Sequence, residues 1–227
     1  MIMMIEEYIK RNIDAQLIAW KEDTMRKPLL LRGARQVGKS SAIRNFGKQF
    51  KYFAEVNFER NKAVKTFFHG DIDVRLIVEK ISTYINVPIE AGNTLLFFDE
   101  IQECPEALMA LRFFKEEYPE LHVVAAGSLL EFALQELPTF GVGRIHSLFM
   151  YPMTFDEFLF ANHEDGLVKI RDGAYGKQPV EQVFHDKLVE YFRTYLLVGG
   201  MPESVLAWIR TDDFTRCRNI QEDIVLT

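Results

Sequence analysis

Residues 33–40 read GARQVGKS and follow directly on the apolar run Leu29-Leu30-Leu31. Two glycines, a lysine and a serine stand at the offsets G-x-x-x-x-G-K-[ST], the spacing of a phosphate-binding loop. Each fixed residue has a physical task. Gly33 and Gly38 permit backbone conformations that a Cβ forbids, so several backbone N–H groups turn inward toward one anion. A helix starting at the same point directs its positive end at the phosphates. Lys39 then supplies a mobile positive charge to the β and γ phosphates, and the Ser40 hydroxyl is a ligand for Mg²⁺. The expected cradle is Gly33, Ala34, Arg35, Gln36, Val37, Gly38, Lys39, Ser40 and Ser41. The plainer reading is a glycine turn between a strand and a helix.

A second motif favours the phosphate reading. LLFFDE, residues 95–100, is four apolar residues followed by two acids. A buried strand has no use for a carboxylate in its interior. At the C-terminal end of a strand in an open α/β sheet, where ligands bind, a carboxylate can hold the Mg²⁺ shell. That role is assigned to Asp99. Glu100 points elsewhere and is placed to take a proton from an attacking water as general base. The alternative is that the two acids merely cap the next helix.

The rest of the chain supplies the frame. Ile5, Tyr8, Ile9, Ile13, Leu17 and Trp20 recur at three- and four-residue spacings, which predicts an amphipathic helix over residues 2–20. Strands are expected at residues 29–31, 52–58, 94–98, 121–126 and 145–150, alternating with helices. Pro105 opens one of these helices, where its missing N–H costs nothing. The alternation argues a parallel sheet with helices on both faces. From about Thr154 helical segments follow one another, interrupted at Gly199-Gly200 and Pro202. The expected organisation is a phosphate-binding core over residues 1–152 and a small all-helical appendage over 153–227, which the resemblance described below makes an ATP-binding core and its lid. QEDIVLT ends inside an amphipathic pattern, so a longer chain is expected.

Composition narrows the classes. The 227 residues carry a net charge of −6, whereas a nucleic-acid-coating domain shows a basic excess; a local basic patch stays open. Glu6 and Glu7 stand where a signal peptide needs a positive end. No stretch reaches the roughly 20 apolar residues of a membrane span. Cys104 and Cys217 read as free thiols of a reducing compartment. The expected location is cytoplasmic. The five histidines show no metal-ligand spacing.

GARQVGKS, LLFFDEIQ and VVAAGS together resemble an AAA+-type ATPase of the additional-strand, catalytic-glutamate class. AAGSLLE, GVGR, LFMYPMTFDEF and VGGMPE narrow this to a group of bacterial and archaeal ATPases related to the STAND signalling NTPases, in which a nuclease-like domain commonly follows the ATPase core. The resemblance implies a P-loop three-layer αβα sandwich with a five-stranded parallel sheet. It puts the strand before Ser128 between the P-loop strand and the LLFFDE strand. Ser128 then occupies the sensor position near the γ-phosphate, with helix N-capping as the alternative. Arg144 is by resemblance an arginine finger, in cis or on a neighbouring subunit, with a solvated loop arginine as the alternative. Tyr151, Phe155 and Phe158 are expected in the core beneath the lid. Gly199-Gly200 reads either as a hinge or as an ordinary helix–helix turn. Three functions remain open at this stage: an ATP hydrolase driving a conformational change, a nucleotide-gated scaffold with negligible turnover, and a small-molecule kinase, for which no acceptor site is visible. ATP and Mg²⁺ are the expected cofactors. The expected partners are a second copy of the chain or a C-terminal domain.

Overall fold

Leu29, Leu30 and Leu31 are all fully buried, as a strand covered on both faces requires. They belong to β1 (Leu29–Arg32), the fourth of five strands in a sheet of order β2-β3-β4-β1-β5. The other strands are β2 (Tyr52–Asn57), β3 (Thr94–Asp99), β4 (His122–Ala126) and β5 (His146–Phe149). All pairings are parallel. β4 separates β1 from β3, the order that the family resemblance implies. The structure, a computed structural model, describes residues 8–128, 143–176 and 178–226. Ile5, the Leu129-Leu130-Glu131 part of AAGSLLE, the Gly141-Val142 part of GVGR and the final Thr227 lie outside the described residues.

Alternate strand residues face opposite helical layers. Leu30, Val56, Leu96, Phe98 and Ala125 join a cluster with α3 (Val74–Ile85), α4 (Pro105–Glu117) and two short 3₁₀ helices. On the other face Phe53 stacks on Phe97 at 6.2 Å and its ring closes against Gly47 of α2 (Lys39–Gly47). Trp20 of α1 (Ile13–Glu22) packs edge-on to Phe46 of α2. This is an α/β sandwich, with helices on both faces of the parallel sheet.

α1 starts at Ile13 and not at residue 2, because the periodicity from Ile9 to Trp20 spans two packing environments. Ile13, Leu17 and Trp20 are buried in the unit that holds the sheet, residues 13–150. Residues 8–12 are not helical and group by contacts with residues 151–226, where Ile9 packs on the helical cluster.

That second unit contains α5 (Phe155–Ala161), α6 (Asp165–Ala174), α7 (Gln182–Val198), α8 (Pro202–Thr211) and α9 (Phe214–Leu226). Its organising group is Glu157, only 3% exposed. One carboxylate oxygen accepts from Arg11 Nε at 3.0 Å and from the Asn12 N–H at 2.6 Å. The other accepts from the Thr154 N–H at 2.7 Å, closing a capping box in which Thr154 Oγ1 accepts from the Glu157 N–H. Arg11 also donates to the Tyr151 carbonyl at 2.8 Å. Phe158 is fully buried and Phe155 partly so, but the Tyr151 side chain is 68% exposed. The expectation of Tyr151 as a core residue is therefore corrected: its side chain is largely exposed, and its carbonyl accepts from Arg11. Gly200 explains why the motifs YPM and VGG go together. Its carbonyl accepts from the Met153 N–H at 2.6 Å, and a Cβ on Gly200 would stand 2.4 Å from the Met153 oxygen. Tyr195 Oη donates to the same Met153 carbonyl at 2.8 Å.

Two predictions follow from these buried groups. Glu157→Ala takes the carboxylate from the Arg11 charge and from the Thr154 N–H, so it is expected to cost about 3–5 kcal/mol in denaturant unfolding. His122 is buried between the edges of Trp20 and Phe50. Burial first, then the Arg26 charge, pushes its pKa down to about 4. The unfolded chain, with an ordinary pKa near 6.5, therefore binds a proton that the native state refuses between those values. Stability rises with pH across that window and falls on acidification. Replacing His122 with Phe is expected to shrink the loss of unfolding free energy between pH 7 and pH 5 by roughly 1–2 kcal/mol.

Candidate functional site

β1, β4 and β3 end together at one edge of the sheet, and the chain turns there into the sequence-predicted residues. The register Leu31↔Ala126 and Phe98↔Ala125 brings Gly33, Ser128 and Asp99 to this same edge. Gly33 begins the loop with φ 146°, where a Cβ would meet the Met150 carbonyl at 2.1 Å. The Met150 N–H donates to the Arg32 carbonyl at 2.8 Å, which fixes that close approach. Gly38 caps α2 with φ 96° and offers no side-chain cap, and the first turn of α2 holds no acid. The N–H groups and positive pole of α2 are thus left for an external anion. Between the glycines, Ala34, Arg35 and Gln36 are exposed while Val37 is buried and anchors the loop. Gln36 takes φ 61°.

Lys39 is 7% exposed. Its ammonium donates to the Gly33 carbonyl at 2.8 Å and the Ala34 carbonyl at 2.7 Å, so its charge sits within the curve of the loop. Burial pushes its pKa down; the Glu100 and Asp99 carboxylates push it up, and Arg35 pushes it down. Lys39, Glu100, Asp99 and Arg35 thus share one electrostatic environment. Ser41 is exposed on the first turn of α2.

Ser40 Oγ donates to Asp99 Oδ1 at 2.8 Å. Asp99 is 3% exposed and its other oxygen accepts from Asn57 Nδ2 at 3.1 Å, with Arg44 Nη2 at 3.5 Å. Asn57 is itself fixed, since its Oδ1 accepts the N–H groups of Glu59 and Arg60 at 3.1 Å each. Arg44 is held by Glu55, with Nε–Oε2 at 3.0 Å and Nη2–Oε1 at 2.6 Å. Sequence reading missed Asn57 and Arg44. A signal existed for Asn57, which ends β2 in register with Asp99. Arg44 is one helical turn beyond Ser40 and so shares its face.

A hydroxyl and one carboxylate are oxygen donors suited to Mg²⁺, which takes one or two protein carboxylates and completes its shell with water and phosphate oxygens. Among the described residues no group of three or more His, Cys, Asp or Glu could hold a metal ion. Glu100, next along the chain, adopts φ 51°, ψ 49°. This left-handed kink, uncommon for a non-glycine residue, follows the end of β3 at Asp99.

Ser128, 6% exposed, stands at the same edge as the loop. Arg144 does not. It precedes β5, and the register Leu29↔His146 places it beyond the N-terminal edge of the sheet, at least a strand length of about 13 Å from the loop. There it pairs with Glu116 at 2.6 Å. The expectation of a finger acting in cis is therefore corrected: Arg144 does not stand at the phosphate loop of its own chain. Cys104 and Cys217 are buried and free; burial raises both thiols, Cys104 to about 11.

The sequence matches the AAA domain family over residues 25–159. No curated protein matches it significantly. Among solved structures, the Walker-type ATPase of Pyrococcus abyssi superposes with TM-score 0.54 at 18% identity, covering 97% of this chain and 73% of that one. PCH-2 of C. elegans gives 0.48 at 12% identity, over 94% of this chain and 66% of its own. A signal transduction ATPase with numerous domains (STAND), with a tetratricopeptide repeat sensor, from Pyrococcus horikoshii gives 0.47 at 12%. It covers 92% of this chain, which spans 31% of it.

The clash at Gly33 yields a test of the loop. Gly33→Ala puts a Cβ into the Met150 carbonyl at positive φ and is expected to cost about 2–4 kcal/mol in denaturant unfolding. Gly70→Ala, with φ 80° and open space around it, is expected to cost only about 1 kcal/mol.

Proposed function

Because the chain belongs to the AAA domain family and is a P-loop ATPase by motif and fold, we propose that it hydrolyses ATP with Mg²⁺ at this sheet edge and uses turnover to drive a conformational change. The observation that carries the proposal is the 2.8 Å hydrogen bond from Ser40 of the phosphate loop to Asp99 at the tip of β3. Two independent motifs meet there, with a buried lysine beside them.

In this reading residues 33–41 grip the phosphates through backbone N–H groups, and Lys39 exchanges its carbonyl partners for phosphate oxygens. Ser40 and Asp99 would hold Mg²⁺, which when bound would supply charge neutralisation for the transferring phosphoryl group. Asn57 and Arg44 keep the Asp99 carboxylate oriented. Glu100 takes a proton from the attacking water. Ser128 lines the same edge and polarises the γ-phosphate or that water through its hydroxyl. Catalysis would then be positioning and charge stabilisation, with no covalent intermediate on the protein.

What supports coupling to conformation is the chain between Met150 and Met153. Its first residue is bonded by backbone beside Gly33 of the phosphate loop, and its last is bonded by backbone to Gly200. A shift of the loop on phosphate release would pull on this short connection. The partner proposed for this conformational change is a second copy of the chain or a further domain, with a nucleic acid as the alternative.

Lys39→Ala is expected to abolish Mg-ATP binding in calorimetry. Glu100→Gln is expected to bind normally and lose roughly 10²–10⁴ of kcat. Hydrogen exchange at the Met150 and Met153 amides is expected to differ between the ATP-bound Glu100→Gln protein and its ADP complex. Identical protection in both states would remove the coupling, and phosphate release at the normal rate from Glu100→Gln would remove the base.

A further inference from the structure

The turn after Asp99 carries two stability costs side by side. Glu100 holds a left-handed backbone, a conformation that costs a non-glycine residue on the order of 1 kcal/mol or more. Two residues on, Gln102 buries its side-chain carbonyl Oε1 with no hydrogen-bond partner among the described residues. A buried acceptor without a donor costs about 1–3 kcal/mol. An apolar residue of similar size would avoid that penalty.

What Gln102 gains is one short contact: its Nε2 donates to Glu100 Oε2 at 2.7 Å. The amide has to present its NH₂ to the carboxylate, because its carbonyl would face like charge. Oε1 is thereby committed to the buried side. The backbone enforces the arrangement from both directions. Ile101 is fully buried in the core, and the 3₁₀ turn is closed by Glu103 N–H to the Glu100 carbonyl at 3.0 Å and Cys104 N–H to the Ile101 carbonyl at 2.9 Å. With Ile101 pinned, residues 100 and 102 flank it and meet. No other hydrogen bond to the Glu100 carboxylate is made among the described residues.

We propose that Gln102 is a positioning residue for ATP hydrolysis, whose side-chain amide holds the Glu100 carboxylate in the orientation from which it accepts the proton of the attacking water. The inference rests on the assignment of Glu100 as base. Gln102 leaves one carboxylate oxygen of Glu100 for the water and restrains the side-chain torsions that would otherwise swing the base out of reach. Misplacing a catalytic group by about 1 Å costs up to 10²-fold in rate, and that is the loss Gln102 prevents. It touches no substrate in this role.

The test uses steady-state ATP hydrolysis and thermal unfolding of the full chain. Gln102→Ala and the closer-shaped Gln102→Met are expected to lower kcat about 5- to 50-fold, with KM for ATP within about 3-fold of wild type. Neither is expected to lower Tm, since each removes the partnerless buried carbonyl. In a Glu100→Gln background, either substitution is expected to have no further effect on kcat, because the group it positions is already gone. Wild-type kcat in both variants overturns the proposal, as does an equal fractional loss in the Glu100→Gln background. A rise in KM at constant kcat, or a lowered Tm in both variants, also overturns it by assigning Gln102 to binding or to stability. These outcomes differ from failure of the reading beneath it. Fast Gln102 variants alongside a slow Glu100→Gln protein sink only the role of Gln102. Undiminished turnover in Glu100→Gln sinks both.

Discussion

The hydrogen bond between Ser40 and Asp99 is the contact on which the rest of the site depends. Its two residues are 59 positions apart in the chain and lie on different elements. Three conditions make it form. β4 must stand between β1 and β3, so that the phosphate loop and the tip of β3 finish at one edge. Residues 95, 97 and 99 must face the α2 side of the sheet, which period-2 alternation secures once Phe97 packs on Phe53 beside Gly47. α2 must also begin at Lys39, which the left-handed Gly38 enforces. A one-residue slip in β3 would turn Asp99 to the opposite face.

Around that contact the protein concentrates features that oppose stability: a glycine at φ 146° against a carbonyl, a buried ammonium, a left-handed glutamate and a partnerless amide oxygen. The fully buried Leu, Val and Phe side chains of β1, β3 and β4 lie directly beneath. Such a core tolerates local penalties of about 1–3 kcal/mol each. Penalties gathered at one sheet edge, on residues able to bind phosphate and magnesium, are the physical signature of a site kept for function.

Much of this was legible in the sequence, for identifiable reasons. Gly33, Gly38, Lys39 and Ser40 are spaced by local backbone geometry, and Asp99 ends an apolar run, so short-range pattern sufficed to bring them into one hypothesis. The five strands were readable from β-rich or apolar runs; their order was not, since pairing is non-local, and resemblance supplied only the place of β4 between β1 and β3. Arg144 shows a different limit. Its motif suggested a finger, but a residue that precedes a strand in a parallel sheet lies at the edge away from the loops that follow the strands, and direction along the strand outweighs motif. The Ile9–Trp20 stripe had one periodicity and two destinations, because Glu157 draws residues 11 and 12 into its own hydrogen-bond network. The T-x-x-E signature of that network, Thr154 to Glu157, was readable as a capping box. Asn57 and Gln102 act through contacts that depend on register and on a turn conformation, which no linear spacing declares.

The most direct measurement is a titration of Mn²⁺, standing in for Mg²⁺, with ATP present, followed by electron paramagnetic resonance of the free ion. The account predicts one tightly held Mn²⁺ per chain that appears only with the nucleotide and is lost in Asp99→Ala. Retention of that ion at undiminished affinity in Asp99→Ala, or its binding without any nucleotide, would contradict the claim that Ser40 and Asp99 jointly hold the metal of a bound triphosphate.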